Sequence, residues 1–260
     1  MECKEFVKSL ADPFHCRNCR RTLQEHESNG ALESDRFDFI TVILDRSGSM
    51  QQVKNKTIEG FNAYLDEQRS AGKALFTLVQ FDDEYEVLYD AAPIDIVEHR
   101  TAANYQPRGS TALLDAIGRA VAATSEQVSK LSVKPKCILV SVITDGLENA
   151  SVEFCGEKGR RQIFQMIEER KKEGWQFFFI GAEPKAIEDA VQEYGFSASH
   201  TTSYAVAAPD EAFALLSRAN IASRAGLNCG FGSQGNSNQP SRGNSGRPSS
   251  KTKRRRANDV

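Results

Sequence analysis

The sequence predicts an α/β fold: a doubly wound, mostly parallel central sheet with helices on both faces. Three observations predict it. Apolar runs of eight to ten residues recur along the chain, and stretches of helical periodicity separate them. The runs are too uniformly apolar to be half exposed, the mark of strands covered on both sides. The connecting helices are 12 to 20 residues long, enough for crossovers between parallel strands.

FDFITVIL (37–44) is the first strand. A helical pattern follows, with Val53, Ile58, Phe61 and Leu65 on one side, reaching about Ala71-Gly72. ALFTLVQF (74–81) is a second buried strand and YEVLYD (85–90) an alternating third; residues 91–107, with Pro93 and Pro107, are mostly loop. Gly109-Ser110 mark the start of a long helix carrying Leu113, Ile117, Ala120, Val121, Thr124, Val128 and Leu131 at helical spacing. CILVSVITDG (137–146) is a long buried strand. An amphipathic helix with Ile163, Phe164 and Ile167 comes next, then the strand WQFFFIGA (175–182). PKAIEDAVQEYG (184–195) runs from proline to glycine as helices prefer. Phe196–Ser199 is expected as an edge strand, and PDEAFALLSRANIASRAG (209–226) as the last helix.

Composition divides the chain into a polar leader (1–35), one folded domain (36–227) and a basic tail (228–260). The tail is rich in Gly, Ser, Asn, Pro and Arg with one aromatic, Phe231, so it cannot bury enough apolar surface to offset its ordering entropy and is expected to be disordered. It carries seven basic residues and one acid, leaving 26 basic and 34 acidic in residues 1–227, a net charge of −8. No apolar run reaches the roughly 18 residues a membrane helix needs, so no membrane partner is expected. The N-terminus has no apolar core of a secretory signal, and Cys3, Cys16, Cys19, Cys137, Cys155 and Cys229 form no disulfide framework. These features predict a cytoplasmic protein with reduced thiols.

Ligands of a doubly wound sheet bind beyond the C-terminal ends of its strands. The first strand ends at Asp45, followed by Ser47 and Ser49 in DRSGSM; the 137–146 strand ends at Thr144-Asp145-Gly146; Thr111 stands at the start of the long helix on the same side. Five oxygen-bearing side chains from three segments can therefore converge: Asp45, Ser47, Ser49, Thr111 and Asp145. Such a set suits a hard divalent cation, Mg2+ or Mn2+. Two carboxylates and three hydroxyls do not fill and neutralise the site as four carboxylates would; with one or both Asp acting through water, the ion keeps an open position for an Asp or Glu from a partner. Each piece also has a plainer reading: Asp45-x-Ser47 as a turn and helix cap, Thr111 as a cap on its own helix, and Asp145-Gly146 as a type I turn.

DRSGSM, then GSTAL, then ITDG closing an apolar strand resembles the von Willebrand factor A domain with its metal-ion-dependent adhesion site, over about residues 37–227. The resemblance implies that Ser47, Ser49 and Thr111 touch the metal, with Asp45 and Asp145 often acting through water. It implies a metal-dependent protein-binding module, an adaptor or assembly factor, and AAA+ ATPases as a partner class by analogy. Glu148 and Asn149 lie nearby in TDGLEN and carry no assigned role.

An enzyme is the first rival reading, and the residues argue against it. A phosphohydrolase of the haloacid dehalogenase type needs a second Asp two residues after the first, where this chain has Ser47. The G-x-S-x-G elbow is absent, and His15, His26, His99 and His200 lie in polar or loop segments. Two further motifs stand outside the domain. Cys16 and Cys19 have zinc-knuckle spacing, with His15, His26 or Cys3 as further candidate ligands for Zn2+; a single C-x-x-C equally describes a reduced thiol pair. Lys251, Lys253, Arg254, Arg255 and Arg256 would attract nucleic-acid phosphates or serve as a nuclear localisation signal, although aromatics for base stacking are missing.

Overall fold

A computed structural model describes residues 36–227 together with 230 and 231. The chain order is β1 (Asp38–Asp45), a 3-10 turn (Gly48–Val53), α1 (Lys54–Ser70), β2 (Ala74–Phe81), β3 (Tyr85–Pro93), α2 (Leu113–Lys130), β4 (Ile138–Thr144), α3 (Gly156–Lys172), β5 (Gln176–Gly181), α4 (Pro184–Gln192), β6 (Thr201–Ser203) and α5 (Pro209–Arg224). The strands form one sheet in the order β3-β2-β1-β4-β5-β6. All neighbours are parallel except the β2–β3 pair. The expected doubly wound α/β architecture is therefore the observed one.

Uniformly apolar strands are explained by cover on both faces. Every residue of β1 and of β2 is buried. The two-residue side-chain period divides them between two cores. Ile40, Val42 and Leu44 pack with Phe61, Leu65, Phe213 and Leu216 beneath α1 and α5. Phe39 and Ile43 pack with Leu113, Ile117, Val121, Ile163 and Ile167 beneath α2 and α3. At the N-terminal end of β1, Arg224 of α5 donates through Nε to Asp38 (2.8 Å) and through Nη1 to the Gln68 carbonyl (2.6 Å).

Three expectations need correction. The edge strand is Thr201–Ser203, not Phe196–Ser199. Gly195 ends the helical segment in the left-handed region (φ +85°), and Phe196 then turns into the core against Phe177 and Phe179. The chain reaches the edge of β5 only after a further 3-10 turn, Ala198–His200. Phe164 is 39% exposed, unlike the buried Ile163 and Ile167, because it stands off the apolar stripe of α3. The helix after the long loop begins at Leu113, so Thr111 precedes it. The Cys16–Cys19 pair and the 251–256 basic run lie outside the described residues.

The α1–α5 contact depends on Gly60. A Cβ there would stand 2.7 Å from Cδ2 of Phe213 and 2.9 Å from the Asp210 Cα. Alanine normally stabilises a helix interior by about 1 kcal/mol over glycine. Here the sign should reverse: Gly60→Ala is expected to destabilise by about 1–3 kcal/mol through overpacking, read as a lower denaturation midpoint in urea.

Candidate functional site

The junction of β1 and β4 is the point where the chain departs in two directions. After β1 it crosses to α1 on one face; after β4 it crosses to α3 on the other. Crevices at such switch points are where open α/β sheets take ligands. Leu44 pairs with Ile143 in parallel register, which sets Asp45 beside Thr144.

Asp45 has no exposed surface. Its Oδ2 accepts from Thr144 Oγ1 at 2.5 Å, and its Oδ1 accepts the Ser47 N–H at 2.6 Å. These bonds draw the chain into a tight turn that brings Ser47 and Ser49 back over the strand end. The Ser47 and Ser49 hydroxyls are 3.2 Å apart, and Ser49 Oγ donates to Asp145 Oδ1 at 2.6 Å. Ser47 occupies the N-cap position of its 3-10 turn without making a side-chain cap bond. The plainer reading of Ser47 as a cap is thereby set aside. A Cβ built on Gly146 would lie 3.5 Å from Thr111 Oγ1 and 3.8 Å from Ser49 Oγ. The structure thus gathers Asp45, Ser47, Ser49, Thr111 and Asp145 at one place.

The loop before α2 is stitched to the end of β1 along its length. Tyr105 donates its hydroxyl to the Asp45 carbonyl (2.6 Å), Arg108 N–H to the Arg46 carbonyl (2.8 Å) and Gly48 N–H to the Gly109 carbonyl (3.1 Å). Gly109 has φ +65°, a left-handed conformation that a side chain would strain. Beneath the loop, the buried Asp82 carboxylate accepts from Arg46 Nε at 3.0 Å and Arg108 Nε at 2.9 Å. Its carbonyl accepts Ala112 N–H at 2.9 Å. Arg46, Asp82, Tyr105 and Thr144 carry these contacts, and sequence reasoning assigned none of them a role. Their partners are distant in sequence, and no local pattern announces them.

Burial pushes the Asp45 carboxyl up to about 6, against the hydrogen bonds from Thr144 and Ser47, with the neighbouring Asp145 adding to the rise. Burial also raises Asp145; its bond from Ser49 opposes the rise and nearby Glu183 adds to it. Both carboxylates favour a positive charge beside them. No group of three or more His, Cys, Asp or Glu side chains that could hold a metal stands among the described residues. The donor set here is of another kind, two carboxylates and three hydroxyls. It fits a hard cation through oxygen ligands.

No protein-family model and no curated protein matches the chain. Solved structures share its fold. The von Willebrand factor domain of the type V pili tip protein Mfa5 from Porphyromonas gingivalis is similar with a TM-score of 0.52 and 10% identity, over 71% of this chain and 95% of that one. The PilB minor pilin from Streptococcus sanguinis gives 0.51 and 12%, over 75% and 63%. A von Willebrand factor type A protein from Catenulispora acidiphila gives 0.50 and 15%, over 72% and 43%. The chain spans less than two thirds of the length of these last two. At such identities the shared property is the fold.

The burial of Asp45 makes the stability of the metal-free protein depend on pH. The carboxyl rises from an ordinary 3.8 to about 6 in the fold. Its neutral form is therefore the one that stabilises. That contribution is complete below pH 4, falls as the pH rises through 6, and is absent above. The span corresponds to about 3 kcal/mol. Asp45→Asn, which stays neutral, should lose this part of the pH dependence and be more stable than wild type at pH 7.5 in EDTA. Chemical denaturation of both proteins between pH 4 and pH 8 measures it.

Proposed function

We propose that the chain is a protein-binding module whose grip depends on a divalent cation, Mg2+ or Mn2+. Ser47, Ser49 and Thr111 would hold the ion, with Asp45 and Asp145 behind them. The observation that carries this reading is the convergence of five oxygen-bearing side chains from three segments on the β1–β4 switch point. The ion, when bound, supplies a positive charge and a coordination position that a carboxylate can take.

The chain's own residues decide how strong that demand is. Asp45 spends its two oxygens on Thr144 and Ser47, which orients the carboxylate without cancelling its charge. Ser49 is tied to Asp145, so a shift of either hydroxyl or carboxylate is felt by the other. With Asp45 and Asp145 behind Ser47, Ser49 and Thr111, the ion's direct protein donors would be three neutral hydroxyls, so it keeps its Lewis acidity and a position that an Asp or Glu of a partner would take. The von Willebrand factor and pilus proteins that share the fold support a role in protein interaction. An adaptor is favoured over an enzyme because no histidine among the described residues reaches the site. The described histidines are engaged elsewhere, His99 with Asp66 and His200 against Phe178.

Mg2+ or Mn2+ at 100 times its dissociation constant should stabilise the wild-type protein by about 2.7 kcal/mol, seen as a rise in melting temperature that EDTA reverses. Asp45→Ala and Ser49→Ala should show no such rise. A pull-down with wild type in Mg2+, wild type in EDTA, and Asp45→Ala in Mg2+ then asks whether a partner is retained only in the first. A wild-type protein indifferent to both metals, or a partner held equally in all three, overturns the reading.

A further inference from the structure

Thr111 differs from the other hydroxyl donors because it precedes a long helix. Threonine at a helix start usually spends its side chain on the exposed amides of the first turn. In this protein the N-cap position of α2 is Ala112, which has no side-chain oxygen to offer, and no side-chain cap bond is made from it. The first-turn amides are served from another segment, the four residues that follow the Asp145-Gly146-Leu147 turn.

Glu148 accepts the Leu114 N–H at 2.8 Å, and Ser151 Oγ accepts the Asp115 N–H at 3.0 Å. Glu148 also accepts from the Ala150 and Ser151 amides, so its carboxylate knits its own loop while capping the helix. Asp115 returns the service from the first turn of α2, accepting the amides of Val152, Glu153 and Phe154. Asn149 deals with Thr111 itself. Its Oδ1 accepts the Thr111 N–H at 2.9 Å, and its own N–H donates to the Thr111 carbonyl at 3.0 Å. Thr111 is therefore clasped at both ends of its backbone by a residue four positions beyond Asp145.

We propose that the 148–151 segment caps α2 from outside so that the Thr111 hydroxyl is left for the metal, and that Asn149 is the positioning residue that fixes Thr111 against Asp145. This rests on the metal-site reading above and deepens it. The backbone of Thr111 is hydrogen-bonded to the segment that follows Asp145, so a change in one segment is carried to the other. Glu148 and Ser151 hold the helix end; Asn149 alone among their side chains touches Thr111.

The test titrates Mn2+ directly, following the free-ion signal by electron paramagnetic resonance, with melting temperatures in EDTA alongside. Outer partners of metal ligands typically change affinity about 10- to 100-fold when removed. Asn149→Ala is expected to weaken Mn2+ at least tenfold. Asn149→Asp, which keeps an acceptor at the same place, should retain wild-type affinity or better. Ser151→Ala removes a cap bond without touching Thr111, and should lower the melting temperature while leaving Mn2+ affinity within about twofold. If Asn149→Ala binds Mn2+ as wild type does, or if Ser151→Ala weakens binding as much, the positioning role is overturned and the contacts are ordinary bracing. Wild type and Asp45→Ala separate the two levels of inference. A wild type that does not bind Mn2+ removes the metal site itself, whereas binding that Asp45→Ala abolishes and Asn149→Ala spares removes only the role of Asn149.

Discussion

Asp45 is a carboxylate with no exposed surface, held at the seam between two parallel strands by a hydroxyl from one neighbour and an amide from its own turn. An arrangement of this kind costs folding free energy, since burial disfavours the charged form. The surrounding structure is organised around it. The Ser47 amide that satisfies Asp45 creates the turn, the turn sets Ser47 and Ser49 over the strand ends, and Ser49 reaches across to Asp145. Moving Asp45 would release the neighbouring loops as well, because the Tyr105 hydroxyl is anchored on its carbonyl.

The two cores make that seam rigid. With α1 and α5 on one face and α2, α3 and α4 on the other, β1 and β4 have no freedom to splay. The oxygens therefore stand on strand ends and on loops tied to them. The Arg46–Asp82–Arg108 group brings the loop before α2 against the end of β2. Ion pairs of this type are weak contributors to stability, since desolvation offsets attraction. Their contribution here is geometric: one buried carboxylate fixes two arginines and, through its backbone, the approach to α2.

Much of this was legible in the sequence because β1, β2, β4 and β5 are buried on both faces, and such strands leave unbroken apolar runs. DRSGSM and TDG were readable as site elements because each directly follows such a run. The edge strand was misplaced because Phe196 looks like a strand residue but is a core residue behind a left-handed glycine. Phe164 was assigned to the buried side by neighbourhood with Ile163, although one step along a helix rotates a side chain by about 100°. The capping of α2 by Glu148, Asn149 and Ser151 left no local mark. Capping signals are sought next to the helix they serve, and these lie more than 30 residues further on.

The Asp38–Arg224 pair closes the opposite end of the domain, joining the first residue of β1 to the last of α5. Both ends of the folded chain thus sit at the pole away from the candidate site, and this has a mechanical meaning. Tension between the two ends is carried across that pole without crossing the candidate site. Tension between the candidate site and the first residue of β1 runs lengthwise along that strand. That strand is flanked by parallel neighbours on both sides, so its hydrogen bonds are loaded together in shear. A pull along β1 therefore meets many bonds at once, and the strand end that carries Asp45 is held against displacement along its own axis.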